Sequence, residues 1–425
     1  MIDFNYREKQ TGNYLHVKHK QETTQFPLLR KLPPYFFTTI QAQKHSTAQI
    51  NAQCEQEIFF DFGLGKPDLP ADQVVIKELI AGVGRVDAHA YTPSNGIPEL
   101  RTAISEWYED RYQVGLNPET EAIVTIGSKE GLSHLALAIT QPGDIVFVPD
   151  PTYPIHEFAF VIAGASVMRV PLNPIENYEA MLERSIRRLT GKGRVIVLNF
   201  PSNPTGICVT PDFFERVIYL AKRYGLWVIH DLAYADIVFN QEKAPSILAV
   251  KGAKDVAVEF FTMSKSYNMS GWRVGFMCGN SKLVGALKHA KSYFDYGAFK
   301  PIQEAAVVAL RNGSHIVSTV KTSYLSRRNT LVSELNNIGW QVDLPAGGMF
   351  VWARIPHIFR EMRSRDFASV LQSSAGVVVS PGIGFGPAGD EYVRFSLVQD
   401  EATIKQAVAA IDSALALGLR GDYAR

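Results

Sequence analysis

Cysteine is scarce in this 425-residue chain: Cys54, Cys208 and Cys278 are odd in number and far apart. Without CxxC spacing they argue against a disulfide framework or a zinc site, and they fit a reducing compartment. An excess of charge of one sign is also missing. Lys and Arg number 43 against 42 Asp and Glu, a formal net charge of +1. No basic field therefore awaits nucleic acid, and no acidic partner is implied. No apolar run approaches the roughly 20 residues of a membrane span. The opening MIDFNYREKQTGNYLHVKHK lacks the apolar centre of a secretory signal. Internal repeats and low-complexity tracts are absent. So is a GxGxxG that joins a strand to a helix with an acid about twenty residues on, which disfavours a nicotinamide-dependent oxidoreductase. What remains is a cytoplasmic globular protein with no metal site to nominate.

Apolar residues make up 46% and charged ones 20%, and the length suffices for two domains. Residues 1–57 are polar and read as an N-terminal arm, with LPPYFF (32–37) as an anchoring turn. The arm is too short and too weakly basic for a DNA-reading module, which disfavours a transcription regulator. From 71 to 310, apolar strands alternate with helical stretches: AIVTIG, DIVFVPD, ASVMRV, RVIVLNF, LWVIHD, VAVEFF and WRVGFM. In PDFFERVIYLAKRYG (211–225), Phe214, Val217, Ile218, Leu220 and Ala221 share one helical face. Continuous apolar strands between such helices predict an α/β unit with a mostly parallel sheet covered on both faces. Residues 58–70 and 311–425 read as a smaller α+β domain, with short strands at QVDL, MFVWARI, GVVVS and YVRFSL and a last helix near 400–417.

Several short motifs carry chemistry. TIGSKEGLSHLALAI (125–139) runs from a strand through Gly127, Ser128 and Lys129 into a helix. Free N–H groups and the dipole of that first turn make a phosphate seat. The same turn also fits a strand–helix junction capped by Ser128. NFPSNPTG (199–206) stiffens the chain around Asn203, and HDLAYADIVF (230–239) puts Asp231 at a strand end with Tyr234 nearby. Open α/β sheets bind ligands at carboxyl strand ends, although a helix N-cap would also use Asp231. FFTMSKSYNMSGWRVGF (260–276) sets Lys265 after a strand, beside Ser264 and eight residues before Arg273. GIGFGP (382–387) lacks nucleotide-loop spacing and reads as a mobile loop; YVRFSL (392–397) carries Arg394. Each motif alone has a bland reading as a loop, cap or surface charge. Together a phosphate seat, a carboxylate, an amide, a phenol, a lysine and two arginines are the set that pyridoxal phosphate needs.

The ordered series YTPSNGIPELR, GSKEG, PSNPTG, DLAY, SKSYNMSGWRVGF and VRFSL resembles the class I/II aminotransferases of fold type I, over residues 30–418. LPPYFF, PDPTYPIH, DLAYADIVF and SPGIGFG are most similar to the alanine (glutamate–pyruvate) branch, with the LL-diaminopimelate branch close. The resemblance implies a pyridoxal 5'-phosphate enzyme that moves amino groups between small amino acids and 2-oxo acids, alanine with pyruvate and glutamate with 2-oxoglutarate. The alternatives are an LL-diaminopimelate or aspartate aminotransferase, or lysis or cyclisation on the same fold. Lys265 would hold the cofactor as a Schiff base and later move the proton between Cα and C4′. Asp231 would pair with the ring nitrogen, Asn203 and Tyr234 with the phenolic oxygen, and Tyr153 would stack on the ring. Ser128, the Lys129 backbone, Ser264 and Arg273 would hold the phosphate. Arg394 would clamp the substrate carboxylate, helped by Asn203 and the Gly65 backbone. His156 sits where a partner for Asp231 is expected, though a packed core histidine fits the position equally. Tyr91 would reach the phosphate of a neighbouring subunit, so the expected assembly is a homodimer with shared sites. Aspartate-specific relatives supply a further arginine from the other subunit, where this chain reads KSYFDYGAFKP (291–301). Lys291 and Lys300 are the candidates to replace it.

Overall fold

A computed structural model describes residues 26–35, 59–189 and 191–419. The arm assigned to 1–57 lies outside the described residues except for 26–35, which include a 3₁₀ turn at Leu29–Lys31.

Twelve strands are described: β1 (Phe60–Asp61), β2 (Ala122–Thr125), β3 (Ile145–Asp150), β4 (Ser166–Pro171), β5 (Gly193–Asn199), β6 (Trp227–Asp231), β7 (Ala257–Thr262), β8 (Gly275–Gly279), β9 (Phe350–Arg354), β10 (Val377–Val378), β11 (Ser380–Pro381) and β12 (Tyr392–Ser396). Seven form one sheet in the order β2-β8-β7-β6-β5-β3-β4. All its pairings are parallel except those of β8, which runs antiparallel to both β2 and β7. Strands β5, β6 and β7 are almost wholly buried because helices cover both faces. One face packs Leu135, Phe160 and Leu287; the other packs Phe214, Trp107 and Phe276.

The helices are locally encoded. Pro98 and Pro211 open their helices at the position where a missing N–H costs nothing, and Gly225 closes the second in the left-handed region at φ 67°. Asn280 caps Ser281–Phe294 by accepting from Lys282 N and Leu283 N.

Beyond the large sheet, β11-β12-β9 form a three-stranded antiparallel sheet, and β1 pairs with β10 in parallel. The 24-residue helix Ser314–Asn337 packs against the C-terminal helix Glu401–Leu419, β9 and the short helix Met263–Ser266. No helix among the described residues is long and apolar enough to cross a membrane.

Three local expectations need correction. The strand expected at 272–277 begins only at Gly275, because Trp272 ends a 3₁₀ turn and Arg273 is left-handed at φ 57°. QVDL forms no strand. GIGFGP is not an open loop but two packed 3₁₀ turns, with Phe385 buried beneath Trp352.

Candidate active site

The carboxyl ends of β3, β5, β6 and β7 meet the start of the helix Ser128–Ile139 around a cavity of about 420 Å³. Gly65, Ser128, Lys129, Tyr153, Asn203, Asp231, Tyr234, Ser264, Lys265, Arg273 and Arg394 all line it. Residues more than 300 positions apart thus share one wall.

At the β6 end, Asp231 is buried and its Oδ2 lies 2.9 Å from His156 Nε2. His156 is fully buried, and its Nδ1 meets Thr152 Oγ1 at 2.9 Å. The hydroxyl on one ring nitrogen and the carboxylate on the other fix the imidazole's orientation. Asp231 Oδ1 is also buried, yet it has no hydrogen-bond partner among the described residues. A buried carboxylate oxygen left bare is costly, so this atom marks a place for a donor.

At the β5 end, Asn199 locks the following turn. Its Nδ2 donates to Asp231 O at 2.8 Å and its Oδ1 accepts from Asn203 N at 2.8 Å. Asn203 in turn accepts from Arg394 Nη1 at 2.8 Å and donates weakly to Tyr234 OH at 3.4 Å. Arg394 projects from β12, 1% exposed, with its guanidinium carbon 4.1 Å from the Phe350 ring centre and 4.6 Å from that of Phe385. Its Nη2 donates to Gly63 O and Ser380 Oγ. Burial lowers the Arg394 pKa to about 10, which still leaves the side chain a cation at neutral pH.

At the β7 end, Thr262 caps a one-turn helix by accepting from Ser264 N, and its hydroxyl donates to Ser264 Oγ at 2.8 Å. That turn aims Lys265 into the cavity, where Nζ donates to Gly65 O at 2.7 Å. Burial, then the nearby Arg394 and Arg273 charges, lower the Lys265 pKa to about 8, and Asp231 only partly opposes them.

The phosphate-seat motif is a tight cradle. Gly127 has φ +77°, and a Cβ there would stand 2.4 Å from Arg273 Nη2. The Arg273 guanidinium therefore lies against the opening turn of a twelve-residue helix, a combination suited to an anion.

One expectation fails and two residues stay outside. Lys291 cannot replace an arginine, because it is fully buried between Glu130 Oε1 at 2.7 Å and Asp295 Oδ2 at 2.8 Å. Lys300 pairs with Asp87 and lies outside the chain's own cavity, as a residue offered to a partner subunit would. Tyr91 does not line the chain's own cavity; it is 83% exposed and stacks on Tyr296 at 4.3 Å. Sequence reasoning missed Tyr35, Asn199, Thr262 and Phe350, which also line the cavity. Tyr35 accepts from Lys129 Nζ at 3.1 Å, so the Lys129 ammonium turns toward the N-terminal segment. The prolines before Tyr35 signalled a turn, but nothing local told where it would dock.

The family model for aminotransferase class I and II matches residues 57–411. The chain is 50% identical over 388 residues to the glutamate-pyruvate aminotransferase AlaC of Escherichia coli (strain K12), covering 91% of this chain and 92% of that protein. It is 39% identical to an LL-diaminopimelate aminotransferase of Dehalococcoides mccartyi (strain CBDB1), covering 90% and 97%. A solved structure of a probable N-succinyldiaminopimelate aminotransferase from Thermus thermophilus superposes with a TM-score of 0.81, at 31% identity, covering 89% of this chain and 100% of that one.

Proposed function

The chain belongs to the class I and II aminotransferases and is an aminotransferase of the fold-type-I class, and from that premise we propose that it uses pyridoxal 5'-phosphate to exchange amino groups between alanine and 2-oxoglutarate, returning pyruvate and glutamate. The bare buried Oδ1 of Asp231 carries the reading, since the expected cofactor has a ring N–H to offer it. The donors fit the rest of that group. The Gly127 cradle, Ser128, Lys129, Ser264 and Arg273 suit a phosphate; Asn203 and Tyr234 suit a phenolic oxygen; Tyr153 suits a ring face. The choice of substrates is supported by the Escherichia coli relative. The arm, large and small domains and shared-site homodimer expected from the sequence are part of the proposal.

When bound, pyridoxal phosphate supplies an aldehyde for the amino group and a protonated ring that accepts the electron pair from Cα. Asp231 holds the proton on the ring nitrogen by charge, and His156 with Thr152 keeps the carboxylate aimed. Arg394 binds the substrate α-carboxylate, with Asn203 fixing one arm of its fork. Lys265 would take the Cα proton and return it at C4′, across the intervening nitrogen. A depressed pKa suits it to that exchange, because its neutral amine is populated near neutral pH.

The test is a spectrophotometric screen of half-reactions, adding one amino acid at a time to the cofactor-loaded enzyme. Alanine and glutamate should each convert the absorbance, and pyruvate and 2-oxoglutarate should each restore it. Preferential conversion by LL-diaminopimelate would move the chain to the neighbouring branch. Continuous turnover of one substrate without a 2-oxo acid would make it a lyase.

A further inference from the structure

The loop 63–68 touches both cationic side chains of the proposed chemistry. Gly63 O accepts from Arg394 Nη2 at 3.0 Å, and Gly65 O accepts from Lys265 Nζ at 2.7 Å. Its first end is secured by sheet and side chains: Phe62 N donates to Val378 O, and Gly63 O also accepts from Ser380 Oγ at 2.6 Å. The middle is wedged against the aromatic floor, since a Cβ on Gly65 would stand 2.6 Å from the Phe350 ring. The far end is held by charge. Asp68 receives both arms of Arg327, Nη1 to Oδ1 at 2.7 Å and Nη2 to Oδ2 at 2.8 Å.

Arg327 is an unusual anchor. Its side chain is 7% exposed, and Nη1 also donates to Leu397 O at 3.1 Å, three residues beyond Arg394. It rises from the helix Ser314–Asn337, which packs against the one-turn helix bearing Lys265. One guanidinium therefore ties together the loop, the strand of Arg394 and the helix that supports Lys265. The planar fork matches the carboxylate in a way a lysine could not.

We infer that the Arg327–Asp68 pair is a positioning device for substrate carboxylate binding: it sets the height of the Gly65 backbone over the cavity. Neither residue lines the cavity. This rests on the functional reading above, in which Arg394 and the Gly65 backbone share the α-carboxylate. Breaking the pair frees the loop's far end, so Gly65 is no longer held where the carboxylate arrives. The contacts proposed for the phosphate and the ring nitrogen, at the Gly127 cradle and Asp231, include no residue of this loop, which meets the cofactor-binding set at Lys265.

The experiment compares Asp68→Asn, Arg327→Met and the double variant, all loaded with cofactor. Asp68→Asn is nearly isosteric, and Arg327→Lys serves if the methionine variant does not fold. Propanoate, a carboxylate without an amino group, is titrated by calorimetry. Alanine kinetics and pyridoxal phosphate affinity, the latter by fluorescence, are measured alongside. Each single variant should weaken propanoate and raise the alanine KM about tenfold, the size expected for loss of a charge-assisted contact. The kcat and cofactor affinity should change less than about threefold. The double variant should match the singles, because partners in one contact are not additive. Unchanged propanoate binding and KM in the variants, additive losses, or an equal loss of cofactor affinity would overturn the positioning role. A wild-type enzyme that bound propanoate but transaminated no amino acid would instead overturn the functional reading on which it stands.

Discussion

Lys265 shows how one side chain's surroundings set its chemistry. Its ammonium is disfavoured in the folded chain, with a pKa of about 8 against an ordinary value of 10.5. Between those values the unfolded chain binds the extra proton and the folded chain does not. Stability of the cofactor-free protein should therefore rise as pH climbs through that window. Reactivity has the same origin, since only the neutral amine attacks an aldehyde. Mixed with pyridoxal phosphate, the cofactor-free protein should form its absorbing adduct at a rate that levels off with a midpoint of about pH 8. Stopped-flow absorbance measures this, and a rate still climbing about tenfold per unit well above that midpoint would show an unperturbed lysine. The neighbouring Arg394 is also shifted downward by burial, but it ends at about 10 and stays charged at neutral pH. On the proposed reading the two cations part company, one serving as a base and the other as a clamp.

At the scale of elements, the junction between β2 and the helix Ser128–Ile139 is tightly constrained. Gly127→Ala would strain a residue at φ +77° and push a methyl into Arg273, whereas Gly143→Ala at φ +99° meets nothing within 4 Å. Both should lose stability, on the order of 1 kcal/mol or more for the backbone strain. Only Gly127→Ala should also weaken pyridoxal phosphate binding, by about tenfold, in a fluorescence titration. Equal cofactor affinities would remove the cradle from the phosphate site. Much of this was legible in the sequence. Apolar runs bounded by turn residues marked all seven sheet strands, β8 with a displaced start, and the strand-end positions of Asp231 and Lys265 put both in the crevice. What escaped was set by distant contact. Trp272 and Arg273 look like strand until the left-handed Arg273 breaks the pattern, and GIGFGP looks open until Trp352 closes over it. Lys291 reads as a spare cation although Asp295 is four residues on, because its second partner, Glu130, lies 161 residues away in sequence. Tyr35 escaped for the same reason, being fixed by a lysine 94 residues on.

For the whole molecule, the aromatic side chains Tyr91, Tyr293, Phe294, Tyr296 and Phe299 are all exposed, and Tyr91 and Tyr296 stack on each other. So much apolar surface suits contact with a second copy. In the proposed homodimer Tyr91 serves the partner's phosphate. A Tyr91→Asp chain and a Lys265→Ala chain should each be inactive alone. Co-expressed, about half of randomly paired dimers would be hybrids with one intact site, returning roughly a quarter of wild-type activity. Purified hybrids as inactive as their parents would place Tyr91 in its own subunit. The reversed strand β8 has a different consequence, for the order of assembly. β2 stands at the sheet edge with β8 as its one strand neighbour, although the two are about 150 residues apart in the chain. During synthesis β2 therefore emerges long before the strand that completes its hydrogen bonding, and such distant pairings close slowly. The Gly127 cradle and the Arg273 that fills it come together only with that closure. A ribosome-bound chain ending before Gly275 would carry Lys265 and Asp231 yet lack a formed anion seat, so capture of the proposed cofactor would come late in the life of the nascent protein.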